Sequence, residues 1–454
     1  MSTFQGKTLL VANRGEIAVR IVRAARELGL RTVVVYSDAD AQSLAVQMAD
    51  AAEHIGPSPA GKSYLNMTAV LEAAQRCGAH AVHPGYGFLS ENAMFAAAIE
   101  QAGLIFVGPS AEAIRTMGDK AAARAAAAKA GVPTVPGSEG TLESVEEALR
   151  LADTIGYPVM IKAAAGGGGR GIRVAQNPQE LSQQMVTAQA EAKAAFGNGA
   201  VYLERFIRRA RHVEVQILGD GQQVIHCFER ECSLQRRRQK VWEEAPSQAL
   251  SAAQRQALCE SAVRLAKAVS YRGAGTLEYL FDDETGEFFF IEMNTRIQVE
   301  HPVTEMVTGV DLVKEMIRVS FGAPLRLKQA DIVLRGAAIE VRINAEDPAR
   351  NFAPCPATLG ELRVPGGMGV RFDTMLYSGY RIPPFYDSLL GKLIVHDTDR
   401  DGALARLDRA LQELRTEGLT TTATLHRRLV QDKSVRAAAF HTGFLEQWLE
   451  QNPL

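Results

Sequence analysis

A ten-residue segment, 292–301, concentrates side chains that could do chemistry. It holds two carboxylates, an amide, a guanidinium and an imidazole, from Glu292, Asn294, Arg296, Glu300 and His301. Carboxylate and amide oxygens bind hard divalent cations, a guanidinium binds anions, and carboxylates and imidazoles accept protons. This combination over so short a segment indicates a functional site rather than a solvated surface.

Two predicted strands, Thr276–Phe281 and Phe288–Ile291, flank a stretch of turn-forming residues and favour a β-hairpin. In such a hairpin Glu278 and Glu292 face each other with Cβ atoms roughly 4.5 to 5.5 Å apart, where like charges repel. A bridging cation would remove that repulsion, and Asn294 offers a third oxygen on the same face. The spacing predicts a Mg²⁺ or Mn²⁺ site. The alternative is that Glu278 is a solvated charge on the hairpin.

Composition limits the classes of protein. A chain of 454 residues, 46% of them hydrophobic, is expected to form two or three domains. Its net charge of −2 predicts no general affinity for nucleic acid or membrane. The start of the chain lacks a signal-like apolar run and no 18-residue apolar stretch occurs, so a cytoplasmic location is expected. No CxxC pair occurs among the cysteines, which are interpreted as small buried hydrophobic residues: Cys77, Cys227, Cys232, Cys259 and Cys355.

The N-terminal third alternates predicted strands and helices. A strand over Lys7–Asn13, a helix with apolar residues at helical spacing and a second strand over Arg31–Tyr36 form a βαβ unit. The first turn has one glycine where a dinucleotide fingerprint needs three, so NAD binding is not predicted. The loop His83–Asn92 follows a short strand, Ala81–Val82, and is expected to end at a helix cap near Ser90.

A second group of motifs indicates phosphate binding. The alanine-rich helix Ala121–Ala130 begins beside Lys120 and ends at a stop that is also a candidate domain boundary. Farther on, the buried strand Tyr157–Lys162 precedes the glycine run Gly166–Gly171 and another strand, Ile172–Val174. Backbone N–H groups of such a loop can close over phosphates as a mobile flap. A flexible surface hairpin is the alternative, and no P-loop is present.

A basic cluster precedes Lys240. In an extended segment, Arg236, Arg238 and Lys240 would project to one side and could bind bicarbonate or phosphate. A solvated surface is the alternative.

Together these motifs resemble the biotin carboxylase family within the ATP-grasp superfamily. The resemblance extends over essentially the whole chain, and it rests on six segments: 83–92, 117–120, 166–171, 235–246, 292–305 and 340–348. It implies an α/β and α+β multidomain protein. The expected domains are a Rossmann-like N-terminal domain (1–114), an ATP-grasp domain (115–331) whose glycine-rich lid covers about 134–206, and a C-terminal biotin carboxylase domain (332–454).

The family reaction is ATP-dependent carboxylation of biotin with bicarbonate, through carboxyphosphate. By motif match, the resemblance implies that the nucleotide is bound by Lys120, Lys162, Gly168, Gly169, Glu204, Ile207, His212, Gln235, Arg238, Glu278 and Glu292. The implied metal ligands are Glu278, Glu292 and Asn294. Bicarbonate would be bound by Lys240, Arg296, Gln298, Val299 and Glu300, with Glu300 as its base. Biotin would be bound by Tyr86 and Arg342. The catalytic residues would be Lys240, Arg296, Glu300 and Arg342.

The resemblance also implies partners. No Met-Lys-Met segment, the carrier's biotinylation motif, occurs, so biotin is expected on a separate biotin carboxyl carrier protein, together with carboxyltransferase subunits; a homodimer is also expected. The implied complex is an acetyl-CoA carboxylase, with propionyl-CoA, methylcrotonyl-CoA or pyruvate carboxylases and other ATP-grasp ligases as alternatives. A degenerate regulatory subunit would require lost catalytic groups, and none is missing. Two residues beside Lys240 depart from the family pattern: Arg238, where His or Asn is common, and Trp242, where a smaller aliphatic residue is usual.

Overall fold

The computed structural model of the chain describes residues 4–138, 140–142, 144–163, 172–196 and 199–453. Contacts divide the chain into two compact units. The first consists of Met1–Val132, Arg211–Tyr279 and Glu292–Leu454, and the second of Pro133–Ala210 and Leu280–Ile291. The predicted domain limits at 114 and 331 remain a prediction.

The first unit begins with a parallel five-stranded sheet in the order β3-β2-β1-β4-β5. Its elements are β1 (Thr8–Val11), α1 (Gly15–Glu27), β2 (Arg31–Tyr36), α2 (Leu44–Met48), β3 (Ala51–His54), α3 (Met67–Arg76), β4 (Ala81–His83), α4 (Ala93–Gln101), β5 (Ile105–Phe106), α5 (Ala111–Gly118) and α6 (Lys120–Lys129). This is the predicted βαβ architecture, which is therefore confirmed.

Local sequence explains these elements. Ile17, Ile21 and Val22 of α1 recur at helical spacing and are buried in the core beside the sheet. The cap of α4 is Asn92, whose side chain accepts from the N–H of Phe95. The cap lies two residues beyond Ser90, at the end of the predicted loop, which agrees with the prediction of a cap near Ser90.

The largest sheet has eight strands in the order β13-β12-β9-β10-β11-β14-β19-β18. Its strands are β9 (Ala210–Asp220), β10 (Val224–Arg236), β11 (Gln239–Ala245), β12 (Arg272–Asp282), β13 (Phe288–Asn294), β14 (Ala337–Asn344), β18 (Val370–Thr374) and β19 (Leu389–Asp397). The helices that follow its strands are α9 (Ala252–Ala268), α10 (His301–Thr308), α11 (Leu312–Ser320) and α12 (Arg400–Glu413). Apolar residues of β14, β19 and α12 form one core on this sheet.

Short elements complete the C-terminal part. They are β15 (Glu346–Asp347), β16 (Ala353–Pro354), β17 (Leu362–Arg363), β20 (Arg415–Thr416), α13 (Ala423–Leu429), α14 (Lys433–Arg436) and α15 (Phe444–Gln451). Strand β15 pairs with β16, and β17 with β20.

The second unit is a three-stranded antiparallel sheet, β7-β6-β8, with two helices. Its elements are α7 (Val145–Ile155), β6 (Val159–Ala163), β7 (Ile172–Ala175), α8 (Pro178–Phe196) and β8 (Val201–Arg205). The strands predicted on both sides of the glycine run are present. The run itself, 166–171, lies outside the described residues, so the predicted flap remains a prediction.

The cysteines differ in part from the expectation. Cys227, Cys232 and Cys259 are buried, whereas Cys77 and Cys355 are only half-buried, so the prediction that all five are buried was wrong. Both half-buried thiols donate to nearby carbonyls, those of Ala74 and Ala353, at 3.4 and 3.3 Å. Within the described ranges, the helices include none with the length and apolar character needed to traverse a bilayer.

Candidate active site

Lys240, on β11, lies at the centre of a buried cluster of carboxylates. Its Nζ donates to Glu214 Oε2 at 2.6 Å, to Glu300 Oε1 at 2.7 Å and to Glu278 Oε1 at 2.9 Å. Burial opposes the ammonium charge, but these three carboxylates raise the pKa of Lys240 well above its usual value. The sequence predicted Lys240, Glu278 and Glu300 as site residues, and the structure brings them together around one ammonium group.

Glu278, on β12, is buried and accepts from several groups, so the alternative of a solvated hairpin charge is excluded. Asn294 and Gln298 each donate an amide N–H to its Oε1 at 2.9 Å. His212 Nε2 lies 3.1 Å from Oε2. Burial opposes ionisation, yet Lys240 and His212 lower the pKa of Glu278 well below its usual value.

The family resemblance implies that His212 contacts the nucleotide, and the structure places it beside the carboxylates. Burial lowers the pKa of its imidazole, but Glu278 raises it to about 9. The ring is therefore cationic at neutral pH. Ligand atoms of His212, Glu214 and Glu278 lie within 4.8 Å of one another. This group overlaps the predicted metal ligands only at Glu278.

Glu292 and Lys120 lie at the exposed side of the cluster. Glu292 is on β13 and Lys120 is the first residue of α6. Both side chains are exposed. Partial burial and the nearby Glu278 carboxylate raise the pKa of Glu292, and Lys120 opposes that shift. Electrostatic repulsion between Glu278 and Glu292 is therefore present, as the hairpin spacing predicted.

Arg296 is held by the loop that follows β4. Its Nε donates to Glu91 Oε2 at 2.8 Å, and a terminal nitrogen donates to Asn294 Oδ1 at 2.8 Å. The N–H of Thr295 also donates to Glu91, at 3.1 Å. The predicted loop at the strand end thus contributes a carboxylate that sequence analysis did not assign.

Glu300 immediately precedes α10 and is 2% exposed. Besides Lys240, it accepts from Arg342 at 3.0 Å. Burial raises the pKa of this carboxyl, whereas Lys240 and Arg342 lower it. The net effect is a decrease. Arg342, on β14, also donates its Nε to Glu243 at 2.7 Å. Glu300 is therefore ionised at neutral pH and contacts two cations.

Two residues that sequence analysis missed, Glu214 on β9 and Arg230 on β10, support this cluster. Both are wholly buried, and they form an ion pair with each other. Arg230 also donates to Gln298 Oε1 at 2.6 Å, which fixes that amide. A sequence signal existed, because polar residues alternate with apolar ones along His212 to Ile217, a pattern typical of a buried strand with one functional face.

Tyr86, a predicted biotin contact, and Val299, a predicted bicarbonate contact, are linked through the buried side chains of Glu16 and Lys392. The Tyr86 hydroxyl donates to Glu16, and Lys392 lies 3.1 Å from the same carboxylate. Lys392 Nζ also donates to the carbonyl of Val299 at 2.8 Å. Asn13 donates to the carbonyls of Pro84 and Tyr86. Gly85 has a φ of +65°, and a Cβ there would meet Asn13 at 2.8 Å.

The basic cluster does not form the predicted single row. Residues 237 and 238 have φ values of 48° and 66° and form a two-residue turn between β10 and β11. Arg236 therefore pairs with Gln239 and donates to Asn351 at 2.7 Å, whereas Lys240 pairs with Gln235. The prediction that Arg236, Arg238 and Lys240 project to one side was wrong, because the chain reverses direction between them.

The two departures from the family pattern have different positions. Arg238 is exposed in the turn. Trp242 is 1% exposed, packs in the core of the C-terminal strands and donates its indole N–H to Glu244 at 2.8 Å. Gln235 is buried and donates to the carbonyl of Cys232 at 2.8 Å. Trp242 is thus a core residue, which explains how a large side chain is accommodated near Lys240.

The remaining nucleotide candidates lie in the second unit. Lys162 forms an ion pair with Glu204 across β6 and β8. Ile207 is buried in a small apolar cluster with Val135 and Phe289. Gly168 and Gly169 lie outside the described residues.

His301, unassigned from sequence, belongs to the first unit. It is wholly buried at the start of α10, and its Nδ1 lies 2.7 Å from the Gln298 carbonyl. Burial lowers the pKa of its imidazole well below the usual value, so the ring is neutral. This contact ties the start of the helix to the segment that carries Gln298.

Known proteins match this chain over nearly its whole length. Models of the biotin carboxylase N-terminal domain, the ATP-binding domain of the carbamoyl-phosphate synthase L chain and the biotin carboxylase C-terminal domain match residues 5–114, 119–328 and 340–447. The class is therefore a three-domain protein with an ATP-binding central domain, and the predicted fold class is confirmed.

Individual relatives show which family within that class the chain belongs to. Biotin carboxylase 1 of Bacillus subtilis is 54% identical over 97% of this chain and 98% of that protein. The chain belongs to the biotin carboxylase family, as its motifs predicted. A pyruvate carboxylase subunit of Methanothermobacter thermautotrophicus is 48% identical over 97% of this chain and 89% of that protein. The biotin carboxylase domain dimer of Hydrogenobacter thermophilus 2-oxoglutarate carboxylase, solved with MgADP, ADP and bicarbonate, matches with a TM-score of 0.88 and 49% identity over 97% of each chain.

Proposed function

We propose that this chain catalyses the ATP-dependent carboxylation of biotin, with bicarbonate as the source of the carboxyl group and carboxyphosphate as the intermediate. The observation that carries the proposal is the buried Lys240 ammonium, which contacts Glu300 at 2.7 Å and Glu278 at 2.9 Å. A base, a cation for an anionic substrate and a predicted metal ligand therefore lie within one hydrogen-bonded group.

Glu300 is the proposed base. It takes the proton of bicarbonate, so that the O–H bond breaks and its electron pair attacks the γ-phosphorus of ATP as the bond to ADP breaks. Its lowered pKa keeps it ionised before the transfer. Lys240 and Arg296 would bind the bicarbonate oxygens, and Gln298 and the backbone at Val299 would complete that subsite.

The donor chemistry of Glu278, Glu292 and Asn294 fits Mg²⁺ or Mn²⁺, which prefer carboxylate and amide oxygens. The raised pKa of Glu292 beside Glu278 reflects a like-charge repulsion that a cation would relieve. A bound ion would supply charge neutralisation at the transferring phosphoryl group. The proposed nucleotide contacts are Lys120, Lys162, Gly168, Gly169, Glu204, Ile207, His212, Gln235 and Arg238.

Arg342 and Tyr86 are proposed to meet biotin. Arg342 keeps a permanent positive charge, since neighbouring carboxylates raise its pKa further, and would stabilise the biotin enolate. Biotin would arrive on a biotin carboxyl carrier protein, and carboxyltransferase subunits would use the product. A homodimer is proposed because the Hydrogenobacter domain, 49% identical, is a dimer. A cytoplasmic location belongs to the same proposal.

An ATPase assay tests the function. The purified chain is expected to hydrolyse Mg-ATP only with bicarbonate, and free biotin is expected to stimulate that rate. ATP turnover indifferent to both additions would contradict the proposal. Sedimentation analysis tests the dimer, and pull-down with a biotinylated carrier tests the partner.

Acetyl-CoA is the proposed acceptor of the complete complex, and a keto acid is the second candidate. The 48% identity to the Methanothermobacter pyruvate carboxylase chain and the 49% identity to a 2-oxoglutarate carboxylase domain are the reason to keep the second candidate. Reconstitution with acetyl-CoA, pyruvate and 2-oxoglutarate in parallel, with the carboxyltransferases of the source cell, distinguishes the two.

A further inference from the structure

A pair of buried carboxyl groups lies behind Arg342 and has no role in the reaction proposed above. Glu243, on β11, and Glu340, on β14, are direct cross-strand partners, and both side chains are 0% exposed. Arg342 follows Glu340 by two residues, so both point to the same face of the sheet. Glu243 accepts from Arg342 Nε at 2.7 Å.

Arg342 donates hydrogen bonds to two carboxylates whose proposed roles differ. One terminal nitrogen donates to Glu300, the proposed base, at 3.0 Å, and the Nε donates to Glu243. When Glu300 accepts the bicarbonate proton it becomes neutral, and its attraction for Arg342 weakens. Glu243 is then the anion that still holds the guanidinium, at a stage when its terminal nitrogens are needed for biotin.

Glu340 differs from Glu243 in its contacts. Neither of its carboxyl oxygens has a hydrogen-bond partner among the described residues, and Glu243 Oε2 also lacks one there. Cross-strand partners have Cβ atoms roughly 4.5 to 5.5 Å apart, so two ionised groups would repel strongly in a buried environment. An unpartnered, wholly buried carboxyl next to a carboxylate is expected to keep its proton.

The charges around this pair support that assignment. Burial raises the pKa of Glu340 well above its usual value, although Lys392, opposite Arg342 on β19, lowers it. Lys392 Nζ itself lies 3.1 Å from Glu16 and donates to the carbonyl of Val299 at 2.8 Å, so its ammonium already has two acceptors. Burial raises the pKa of Glu243 to about 7, although Arg342 and Lys240 oppose the shift. Arg342 donates to Glu243, whereas neither oxygen of Glu340 has a hydrogen-bond partner among the described residues, so Glu243 is the member of the pair that ionises first.

We propose that Glu243 is a positioning residue, whose ionised form keeps Arg342 oriented towards biotin after Glu300 has become neutral, and that protonated Glu340 makes Glu243 the member of the pair that ionises. The proposal rests on the proposed function. It assigns Glu243 to the biotin half of the reaction and not to bicarbonate activation.

The test compares two rates in the full-length chain: bicarbonate-dependent ATP hydrolysis without biotin, and its stimulation by free biotin. Glu243→Gln keeps an acceptor but removes the charge, and it is expected to lower the biotin-stimulated rate about tenfold or more, as the loss of a charge-assisted hydrogen bond implies. The rate without biotin is expected to stay within about twofold of the wild type. Glu243→Asp keeps the charge and should recover part of the stimulation.

Glu340→Gln is the matched control, because it replaces a neutral acid with a neutral amide of the same shape. Both of its rates should stay near those of the wild type. The infrared band of a protonated carboxyl at pH 7 should be lost in this variant.

Three results would overturn the proposal: equal loss of both rates in Glu243→Gln, no loss of stimulation in that variant, or an unchanged infrared band in Glu340→Gln. If Glu243→Gln does not fold, a folded Glu243→Asp with reduced stimulation and a normal rate without biotin supports the role, and one that loses both rates equally refutes it. Absence of biotin stimulation in the wild type would instead contradict the proposed function.

Discussion

Arg230 gives the sharpest prediction about how the site is held together. Its guanidinium is wholly buried and donates to five side chains: Glu214, Gln216 at 2.8 Å, Thr304 at 3.1 Å, Thr276 at 3.0 Å and Gln298 at 2.6 Å. Lysine keeps the charge but has three donors. Arg230→Lys therefore leaves at least two of these acceptors without a partner.

Each buried polar group left unsatisfied costs about 1 to 3 kcal/mol, so the free energy of unfolding should fall by about 2 to 6 kcal/mol. Urea-induced unfolding followed by circular dichroism measures this loss. Arg76→Lys is the matched control, because Arg76 is half-exposed and pairs with Glu53 at 3.0 Å on the surface. The same chemical change there should cost no more than about 1 kcal/mol.

The activity of Arg230→Lys should change in a specific way. Gln298 loses a fixed orientation, so the KM for bicarbonate should rise while the KM for ATP stays close to that of the wild type. The reasoning is refuted if Arg230→Lys costs as little stability as Arg76→Lys, or if both KM values rise together.

Three further outcomes are expected. Glu300→Gln should lower bicarbonate-dependent ATP hydrolysis about 10²- to 10⁴-fold, the usual contribution of a general base, while nucleotide binding measured by calorimetry is retained; lost binding would indicate a structural role. Glu278→Gln should weaken Mn²⁺ binding measured by electron paramagnetic resonance, whereas unchanged binding would contradict its role as a ligand. Because the pKa of Glu243 is raised to about 7, its proton is bound more tightly in the folded state than in the unfolded state. The resulting contribution to stability is fully present below pH 4.5 and is lost as pH rises through 7. Thermal unfolding of the wild type and Glu243→Gln between pH 5 and 8 should therefore show the wild type losing stability relative to the variant as pH rises, and a pH-independent difference would contradict the shift.

The local sequence was sufficient for the elements with a strong pattern. Strand β2 occupies the predicted residues, Arg31–Tyr36, because a run of β-branched residues is followed by turn residues. Helix α6 begins at Lys120 because Asp119 caps it. The local sequence was less informative in the basic cluster, where a two-residue turn reversed the chain between Arg236 and Lys240.

The sequence by itself determined which residue types are available: the motifs identified the family and named Lys240, Glu278, Glu300 and Arg342 as site residues. Only the tertiary structure decided which charges neutralise which. Neighbouring strands of one sheet, β12, β9, β10, β11 and β14, bring together residues up to about one hundred positions apart. Pair energies in a buried cluster depend on distances of a few ångströms and on exclusion of water, and neither is encoded in spacing along the chain. For that reason Glu214, Arg230 and Glu243 were recognised only once the strands were in place.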